Sequence, residues 1–135
     1  MIAIRMAPQH KLTGMDPAPI AAEEIPAFRD AVGAAFHSDN TEHQLEINLR
    51  TIEPHRTLVL RDGERIVAGT SIYSRRLSIP GGEVPMAGVT QVGVRPTHRR
   101  RGMLTALMRR QLADVRLAKL RHAQSHPRPR PPRSG

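Results

Sequence analysis

The spacing of apolar residues near the start of the chain predicts an amphipathic helix over residues 20–36. The apolar positions follow one another at offsets of three, four and four residues, at Ile25, Phe28, Val32 and Phe36. This period places all of them on one face of a helix. Glu23 and Glu24 precede them, where the helix dipole favours acidic side chains.

A second, shorter helix is predicted over residues 41–50. Either Asn40 or Thr41 provides a side chain of the type that caps a helix N-terminus. The side chains expected to make its apolar contacts are Leu45, Ile47 and Leu49.

Two runs rich in β-branched residues then flank Asp62-Gly63, at residues 57–60 and 66–73. An Asp-Gly pair between such runs is typical of a tight β-hairpin. The second run extends to Ile79, before the turn residues 80–82, and another strand is predicted from Met86 to Val94. The pattern therefore predicts an antiparallel meander of three or four strands.

After Val94 a short basic loop leads into a further helix, which begins at about Gly102 or Met103. An apolar stripe is expected on one face of this helix. It consists of Leu104, Leu107, Met108, Leu112 and Val115.

Charge adds a constraint that the pattern alone does not give. The 135 residues carry a net charge of +9, and they include no cysteine. The charge indicates an anionic partner, and the lack of cysteine excludes thiolate metal sites and cysteine nucleophiles. Phe28, Phe36 and Tyr73 are the whole aromatic set, which is too few for a base-stacking surface that binds nucleic acid.

The positive charge is concentrated in the last third of the chain. From Arg95 to Arg133 there are twelve Lys or Arg and one acid, Asp114, whereas nine bases and eleven acids precede Arg95. From about Lys119 the composition turns to Arg, His, Pro and Ser, which favours disorder or polyproline structure. We therefore predict one domain over residues 1–118 and a disordered basic tail over residues 119–135. No signal-peptide or membrane-span pattern occurs, so we expect a cytoplasmic protein without membrane contact.

The segment from Val89 to Met108 resembles the cofactor motif of the GNAT superfamily of N-acetyltransferases. That motif is a β-strand followed by Arg/Gln-x-x-Gly-x-Gly/Ala at the head of a helix, matched here by Arg99, Gly102 and Leu104. The first amides of a helix lack intrahelical partners and lie at the positive end of its dipole, so they bind a diphosphate. Glycine lets the backbone approach the phosphate closely.

The resemblance implies a GNAT-like α/β (α+β) fold, with a mostly antiparallel mixed sheet and flanking helices, of which this chain would be the N-terminal portion. It also implies acetyl-CoA as the acetyl donor. The strand is expected to pair with the pantetheine amides and to polarise the thioester, while the loop and helix start hold the phosphates. The residues expected to bind acetyl-CoA are Val92, Gly93, Val94, Arg99, Arg100, Arg101, Gly102, Met103, Leu104 and Thr105.

A narrower resemblance is to the enhanced-intracellular-survival (Eis-like) acetyltransferases. It rests on the wording Val-Thr-x-Val-Gly-Val-x-Pro-Thr-His-Arg-Arg-Arg-Gly-x-Leu-Thr-Ala-Leu-Met, and it covers roughly residues 20–117. Leu104 departs from the superfamily's Gly/Ala but is similar to the bulky apolar residue of Eis-like members. The resemblance implies acceptor amines of small molecules, of polyamine or aminoglycoside type, or of protein lysines. It is also compatible with a homo-oligomer.

Eis-like proteins are several-fold longer, with a second GNAT-like region and a sterol-carrier-like C-terminal domain. Their general acid is a tyrosine downstream of the motif helix and their base is the terminal carboxylate, so no catalytic residue is assigned in this chain. We hypothesise that the chain is a truncation or frameshift product, because the tail composition resembles an alternative frame of GC-rich DNA. A parent reading frame that continues intact in the next frame would support this.

Other candidate residues favour structural roles. His98 is expected to shape the motif loop rather than act as a base. His122 and His126 have the spacing of metal ligands, but the tail lacks acidic partners, so we expect no metal site. Tyr73 precedes the motif, where the family's acid does not lie, and is expected to pack.

Three functions stay open on the sequence. The first is an N-acetyltransferase that transfers acetyl directly from acetyl-CoA to an amine, without a cysteine-linked intermediate. The second is a non-catalytic remnant that at most binds coenzyme A. The third is a binder of nucleic acid or an anionic surface, in which Arg99, Arg100 and Arg101 form a solvated basic turn.

Overall fold

The computed structural model describes residues 16–39 and 41–125. Three short 3-10 turns, at Ala22–Glu24, Pro54–Arg56 and Pro96–His98, separate the main elements. These elements are, in chain order, β1 (Ala18–Pro19), α1 (Ile25–Phe36), α2 (Glu42–Thr51), β2 (Leu58–Asp62), β3 (Arg65–Ile79), β4 (Gly82–Val94) and α3 (Met103–Ser125).

The strands form one antiparallel sheet in the order β1-β2-β3-β4. The α+β class and the predicted meander are confirmed, and the pairing is antiparallel throughout the described residues. The Asp-Gly turn is also confirmed: Asp62 pairs with Arg65, and Gly63 has a φ of 61°. Glycine adopts this left-handed conformation without the steric cost that other residues pay.

Alternate residues of β2 point to opposite faces of the sheet, and each face carries its own apolar cluster. On one face Phe28 and Ile25 of α1 pack with Val59. On the other face Met103 and Leu107 of α3 pack on a set formed by Leu58, Leu60, Val67 and Ala68. The sheet therefore lies between α1 and α3.

The predicted helix near residue 41 is confirmed, but of its three predicted apolar contacts only Leu45 is partly buried. The Thr41 hydroxyl accepts the Gln44 N–H at 3.2 Å and so caps α2, while Asn40 lies outside the described residues. Ile47 and Leu49 are exposed, and the buried residue of α2 is Asn48. The prediction was wrong for Ile47 and Leu49 because a short helix touches the core along one narrow line, which here passes through position 48.

The apolar stripe predicted for α3 is also corrected. Leu104 and Leu112 are exposed, whereas Met103, Leu107 and Gln111 are buried. These three residues follow one another at offsets of four, so the buried face is rotated from the predicted one. The helix continues to Ser125, beyond the predicted boundary at residue 118. Residues 126–135 lie outside the described residues, so the division into a domain and a tail stays a prediction.

The far ends of β3 and β4 form a two-stranded ribbon. Leu77 pairs with Val84, and Ile79 and Met86 lie two residues further along their strands, so all four side chains share one face of the ribbon. All four are exposed, so this face is an exposed apolar surface. The other face is polar and contains an ion pair between Arg76 and Glu83 at 2.8 Å. Within the described residues, no helix has the length and apolar character needed to cross a bilayer.

Candidate functional site

The segment between β4 and α3 is an irregular loop rather than a continuation of the helix. After the turn at Pro96–His98, Arg99 is extended, and Arg100 and Gly102 have φ angles of 62° and 76°. Residues with positive φ do not fit a right-handed helix, so α3 begins only after them, at Met103. The loop thus ends abruptly at the first turn of α3.

The first turn of α3 presents free backbone donors. The first backbone hydrogen bond of the helix is donated by the Ala106 N–H to the Gly102 carbonyl, at 3.1 Å. The N–H groups of Met103, Leu104 and Thr105 precede it and have no intrahelical acceptor. Together with the helix dipole they favour an anion at this end of the helix.

A groove with a volume of about 430 Å³ opens beside these amides. This volume lies within the usual range for small-molecule sites. Nine of the ten predicted site residues line the groove, and Arg101 does not. Three lining residues were not predicted, namely Ala35, Phe36 and His98.

One wall of the groove is the end of β4, where the strand carries a β-bulge. The register passes from Gly69–Gly93 to Ser71–Thr90, so Gln91 and Val92 together oppose a single residue of β3. Within the described residues β4 is one of the two edge strands of the sheet. Its outward N–H and C=O groups are therefore able to pair with an extended ligand.

The opposite wall is the end of α1, which approaches β4 closely at Gly93. A Cβ atom built on Gly93 would lie 2.9 Å from the Cβ of Ala35 and 3.6 Å from the ring of Phe36. The first distance is shorter than ordinary van der Waals contact. The absence of a side chain at position 93 therefore sets the spacing of the two walls.

His98 holds the loop in place through contacts of both its ring nitrogens. Its side chain lies 2.8 Å from the Asp62 carboxylate through Nε2 and 2.7 Å from the Thr97 hydroxyl through Nδ1, and the residue is 9% exposed. In the neutral ring Nε2–H donates to Asp62 while Nδ1 accepts from Thr97. Both ring nitrogens are thus used in structural contacts, which confirms the expected loop-shaping role.

Arg95 anchors the start of the loop to the rest of the domain. Its guanidinium donates to the Ile66 carbonyl at 3.0 Å and to the Asp30 carboxylate at 2.8 Å. Both hydrogen bonds are charge-assisted, because the donor is a guanidinium. Arg95 is buried, so its side chain is largely shielded from water. The sequence shows Arg95 only as one member of a basic cluster.

The three consecutive arginines have different environments. Arg99 donates to the Ala35 carbonyl at 3.0 Å and so joins the loop to the end of α1. Arg100 lines the groove, while Arg101 is exposed outside it. The positive charge offered to a ligand in the groove therefore comes first from Arg99 and Arg100.

Sequence reasoning did not single out Gln91 or Asn48. Gln91 has a φ of 51°, and its side-chain amide donates to the Tyr73 hydroxyl at 3.0 Å and to the side-chain oxygen of Asn48 at 3.4 Å. The expected packing role of Tyr73 is confirmed, because its ring packs on the core beside α1. Nothing in the sequence marks the bulge, since glycine or asparagine, the usual left-handed residues, does not occupy position 91.

Two carboxyl groups outside the groove have lowered pKa values. Hydrogen bonds from the Ala21 backbone and the Arg61 side chain lower the pKa of Glu24, against the effect of burial. Burial raises the pKa of Glu53, but bonds from the Ser74 backbone and hydroxyl, with the nearby charges of Arg56 and His55, outweigh it. Both groups therefore stabilise the fold as carboxylates.

A second cavity, of about 450 Å³, lies on the α3 side of the sheet. Its lining includes His55, Arg56, Gln111 and Asp114. It is slightly larger than the groove, but it contains neither free helix amides nor an unpaired strand edge. We place the candidate site in the groove for this reason.

Comparison with known proteins agrees with the geometry. A family model described as an acetyltransferase (GNAT) domain matches residues 16–129. An uncharacterized N-acetyltransferase from Streptomyces coelicolor is 39% identical over 108 residues, which cover 76% of this chain and 26% of that protein. The chain thus spans about a quarter of the length of this curated relative.

Solved structures give the same fold. Eis1 from Mycobacterium abscessus matches with a TM-score of 0.66 and 31% identity, over 77% of this chain and 26% of that one. A GNAT family acetyltransferase from Brucella melitensis, solved in complex with acetyl-CoA, matches with a TM-score of 0.61 and 22% identity, over 77% and 70% of the two chains. The chain is thus similar in sequence and fold to an Eis protein, and it belongs to the GNAT acetyltransferase family.

Proposed function

We propose that the groove binds acetyl-CoA and that the chain serves an N-acetyltransferase reaction in which an acceptor amine takes up the acetyl group. The observation that carries the proposal is the meeting of three features in one groove: free amides at the start of α3, arginines on the loop, and an unpaired strand edge at the β4 bulge. Each feature suits one part of this ligand. The phosphates suit the amides and the arginines, and the pantetheine amides suit the strand edge.

The residues present fit the ligand in charge as well as in shape. Arg99 and Arg100 bring cationic groups to the end of the groove at which the helix amides lie. Val92, Gly93 and Val94 line the same groove and contribute the strand edge that forms one of its walls. The acetyl-CoA complex of the Brucella melitensis family member supports this assignment.

When bound, acetyl-CoA supplies an activated acetyl thioester. The part of this chain is to orient that group with the strand edge and to place a backbone N–H where negative charge develops on the carbonyl oxygen. The acceptor attacks as the free amine, because an ammonium has no lone pair to form the new bond. The C–N bond forms as the C–S bond of the thioester breaks, coenzyme A leaves as its thiolate, and the proton released by the nitrogen balances the charge of that thiolate. The similarity to Eis-like proteins supports a small-molecule amine or a protein lysine as the acceptor.

A calorimetric titration with acetyl-CoA tests the site. Gly102→Glu places a carboxylate beside the free amides, where the phosphates are expected. We expect this variant to lose at least about tenfold in affinity, because the added charge repels phosphate and competes for the same amides.

Gly81→Glu is the matched control. Gly81 also has a positive φ, 91°, and an added Cβ would meet nothing within 4 Å. The control therefore makes the same change in charge and in backbone preference at the tip of the ribbon. Equal affinities of the parent and Gly102→Glu would contradict the site assignment.

A further inference from the structure

Gln91 occupies a backbone conformation that residues other than glycine rarely adopt. Its φ is 51°, and it lies in the bulge where β4 has one residue more than β3. A residue with a Cβ is held in this region only when its surroundings stabilise it. The surroundings of Gln91 therefore need to supply that stabilisation.

The side chain of Gln91 provides two such contacts. Its amide nitrogen donates to the Tyr73 hydroxyl on β3 at 3.0 Å, and it lies 3.4 Å from the Asn48 side-chain oxygen on α2. Tyr73 packs on the core, and Asn48 is only 5% exposed. The bulge is thus attached to two elements that are themselves held by packing.

The next residue, Val92, lines the proposed cofactor groove. We infer that Asn48, Gln91 and Tyr73 form a clamp that holds the β4 bulge in the shape that meets the pantetheine half of acetyl-CoA. Gln91 is in this sense a positioning residue, since it acts through the backbone of its neighbour. The inference rests on the proposed function.

The clamp and the phosphate site lie at different parts of the groove. The clamp acts on β4, whereas the free amides belong to Met103, Leu104 and Thr105. Loss of the clamp should therefore weaken binding of acetyl-CoA, which spans both parts. It should not weaken binding of adenosine 3′,5′-bisphosphate, which has no pantetheine arm.

The experiment is a calorimetric titration of the full chain with both ligands. Gln91→Gly removes the side chain and also tolerates the positive φ, and Tyr73→Phe removes only the hydroxyl. We expect Tyr73→Phe, which loses one hydrogen bond, to bind acetyl-CoA about fivefold more weakly, and Gln91→Gly, which loses both contacts, to be weakened at least as much. The affinity of both variants for adenosine 3′,5′-bisphosphate should stay within about twofold of the parent. Gln44→Ala, at an exposed position of α2, is the control for loss of a glutamine side chain.

A spectroscopic readout follows the clamp directly. Tyr73 is the only tyrosine and the chain has no tryptophan, so intrinsic fluorescence reports this one ring. Gln91→Gly should change its emission in the ligand-free chain, because the hydroxyl loses its donor. Gln44→Ala should not.

The outcomes separate the clamp from the proposed function. Parent-like affinity for acetyl-CoA in both variants would overturn the clamp and leave the site intact. An equal loss for both ligands would also overturn it, since the effect would then involve the whole groove. A parent chain that binds neither ligand would overturn the proposed function and the clamp together. If Gln91→Gly does not fold, Tyr73→Phe carries the test, because it removes a single oxygen atom.

Discussion

Gly93 determines how closely α1 approaches β4 at the groove. Gly93→Ala would place a methyl group 2.9 Å from the Cβ of Ala35. We expect a loss of about 1–3 kcal/mol in the free energy of unfolding, as for other overpacked sites. Urea denaturation measures it.

Gly88→Ala is the control for this change, because its added Cβ would meet its nearest neighbour, the Tyr73 carbonyl, at 3.4 Å. That is an ordinary contact, so this variant should be the more stable of the two. Equal stability of the two variants would show that α1 moves freely away from β4.

The lowered pKa of Glu53 makes the stability of the fold depend on pH. Its pKa in the folded chain lies below the ordinary value of 4.5. Because its pKa is lower in the folded chain, the Glu53 carboxylate stabilises the fold at pH values above 4.5. This stabilisation is lost as the pH falls through the pKa that Glu53 has in the folded chain. Between neutral pH and about pH 3, the melting temperature of Glu53→Gln should therefore fall less than that of the parent.

Glu46→Gln serves as the comparison for the pH series. Glu46 also forms an ion pair, with Arg50, but both side chains are well exposed. Such pairs contribute little. A Glu53→Gln variant that loses as much stability on acidification as the parent would contradict the role of Glu53.

At the scale of single elements, the start of α2 depends on one side chain. The Thr41 hydroxyl accepts the Gln44 N–H. Thr41→Ala should lower the free energy of unfolding by about 1 kcal/mol, whereas Thr41→Ser keeps the cap and should stay close to the parent. Denaturant titrations of both variants check this. A Thr41→Ser variant as weak as Thr41→Ala would point to the lost methyl group instead of the cap.

The contact between α3 and β3 contains a buried polar pair. The Thr70 hydroxyl donates to the Gln111 side-chain oxygen at 2.8 Å, and the Gln111 amide nitrogen has no partner among the described residues. An unpartnered buried donor costs about 1–3 kcal/mol.

We therefore expect Gln111→Met combined with Thr70→Val to be at least as stable as the parent, since both polar groups are removed. Gln111→Met alone should be less stable than the double variant, because the Thr70 hydroxyl then loses its acceptor. The four melting temperatures of this double-mutant cycle measure the effect. A double variant below both single variants would contradict it.

At the scale of the whole molecule, ligand binding and folding are linked. A ligand that binds only the folded chain raises its stability, by about 2.7 kcal/mol at a concentration one hundred times the dissociation constant. Acetyl-CoA should therefore raise the melting temperature of the parent more than that of Gly102→Glu, because an about tenfold weaker affinity reduces the stabilisation at this concentration to about 1.4 kcal/mol. No shift in the parent would defeat the enzyme interpretation and favour a chain that does not bind coenzyme A.

The net charge of +9 predicts that the rise in melting temperature caused by acetyl-CoA depends on salt. Arginine contacts to phosphate weaken as salt screens them, so the shift should shrink with ionic strength. Binding of nucleic acid by the basic tail would instead persist in Gly102→Glu, since that change leaves residues 119–135 intact. The two properties are thus separable in one set of variants.

The sequence by itself determined the local features of this protein. The Asp62-Gly63 turn, a cap at the start of α2 and the loop before Met103 follow from backbone preferences of a few adjacent residues, and they were predicted correctly, although the sequence left the cap open between Asn40 and Thr41. The Gly102 motif predicted that the end of β4 and the start of α3 line the groove, but not that the end of α1 does. Such features are local, so neighbouring residues are enough to specify them.

Only the tertiary structure decided which faces are buried and which side chains hold the groove. The buried line of α3 runs through Gln111 rather than Leu112, and that of α2 runs through Asn48. The links of His98 to Asp62 and of Gln91 to Tyr73 join residues far apart in the chain. Apolar periodicity fixes a helix face only to within a residue or two, and long-range hydrogen bonds leave no periodic signal, so the packing of the sheet against its helices decides both.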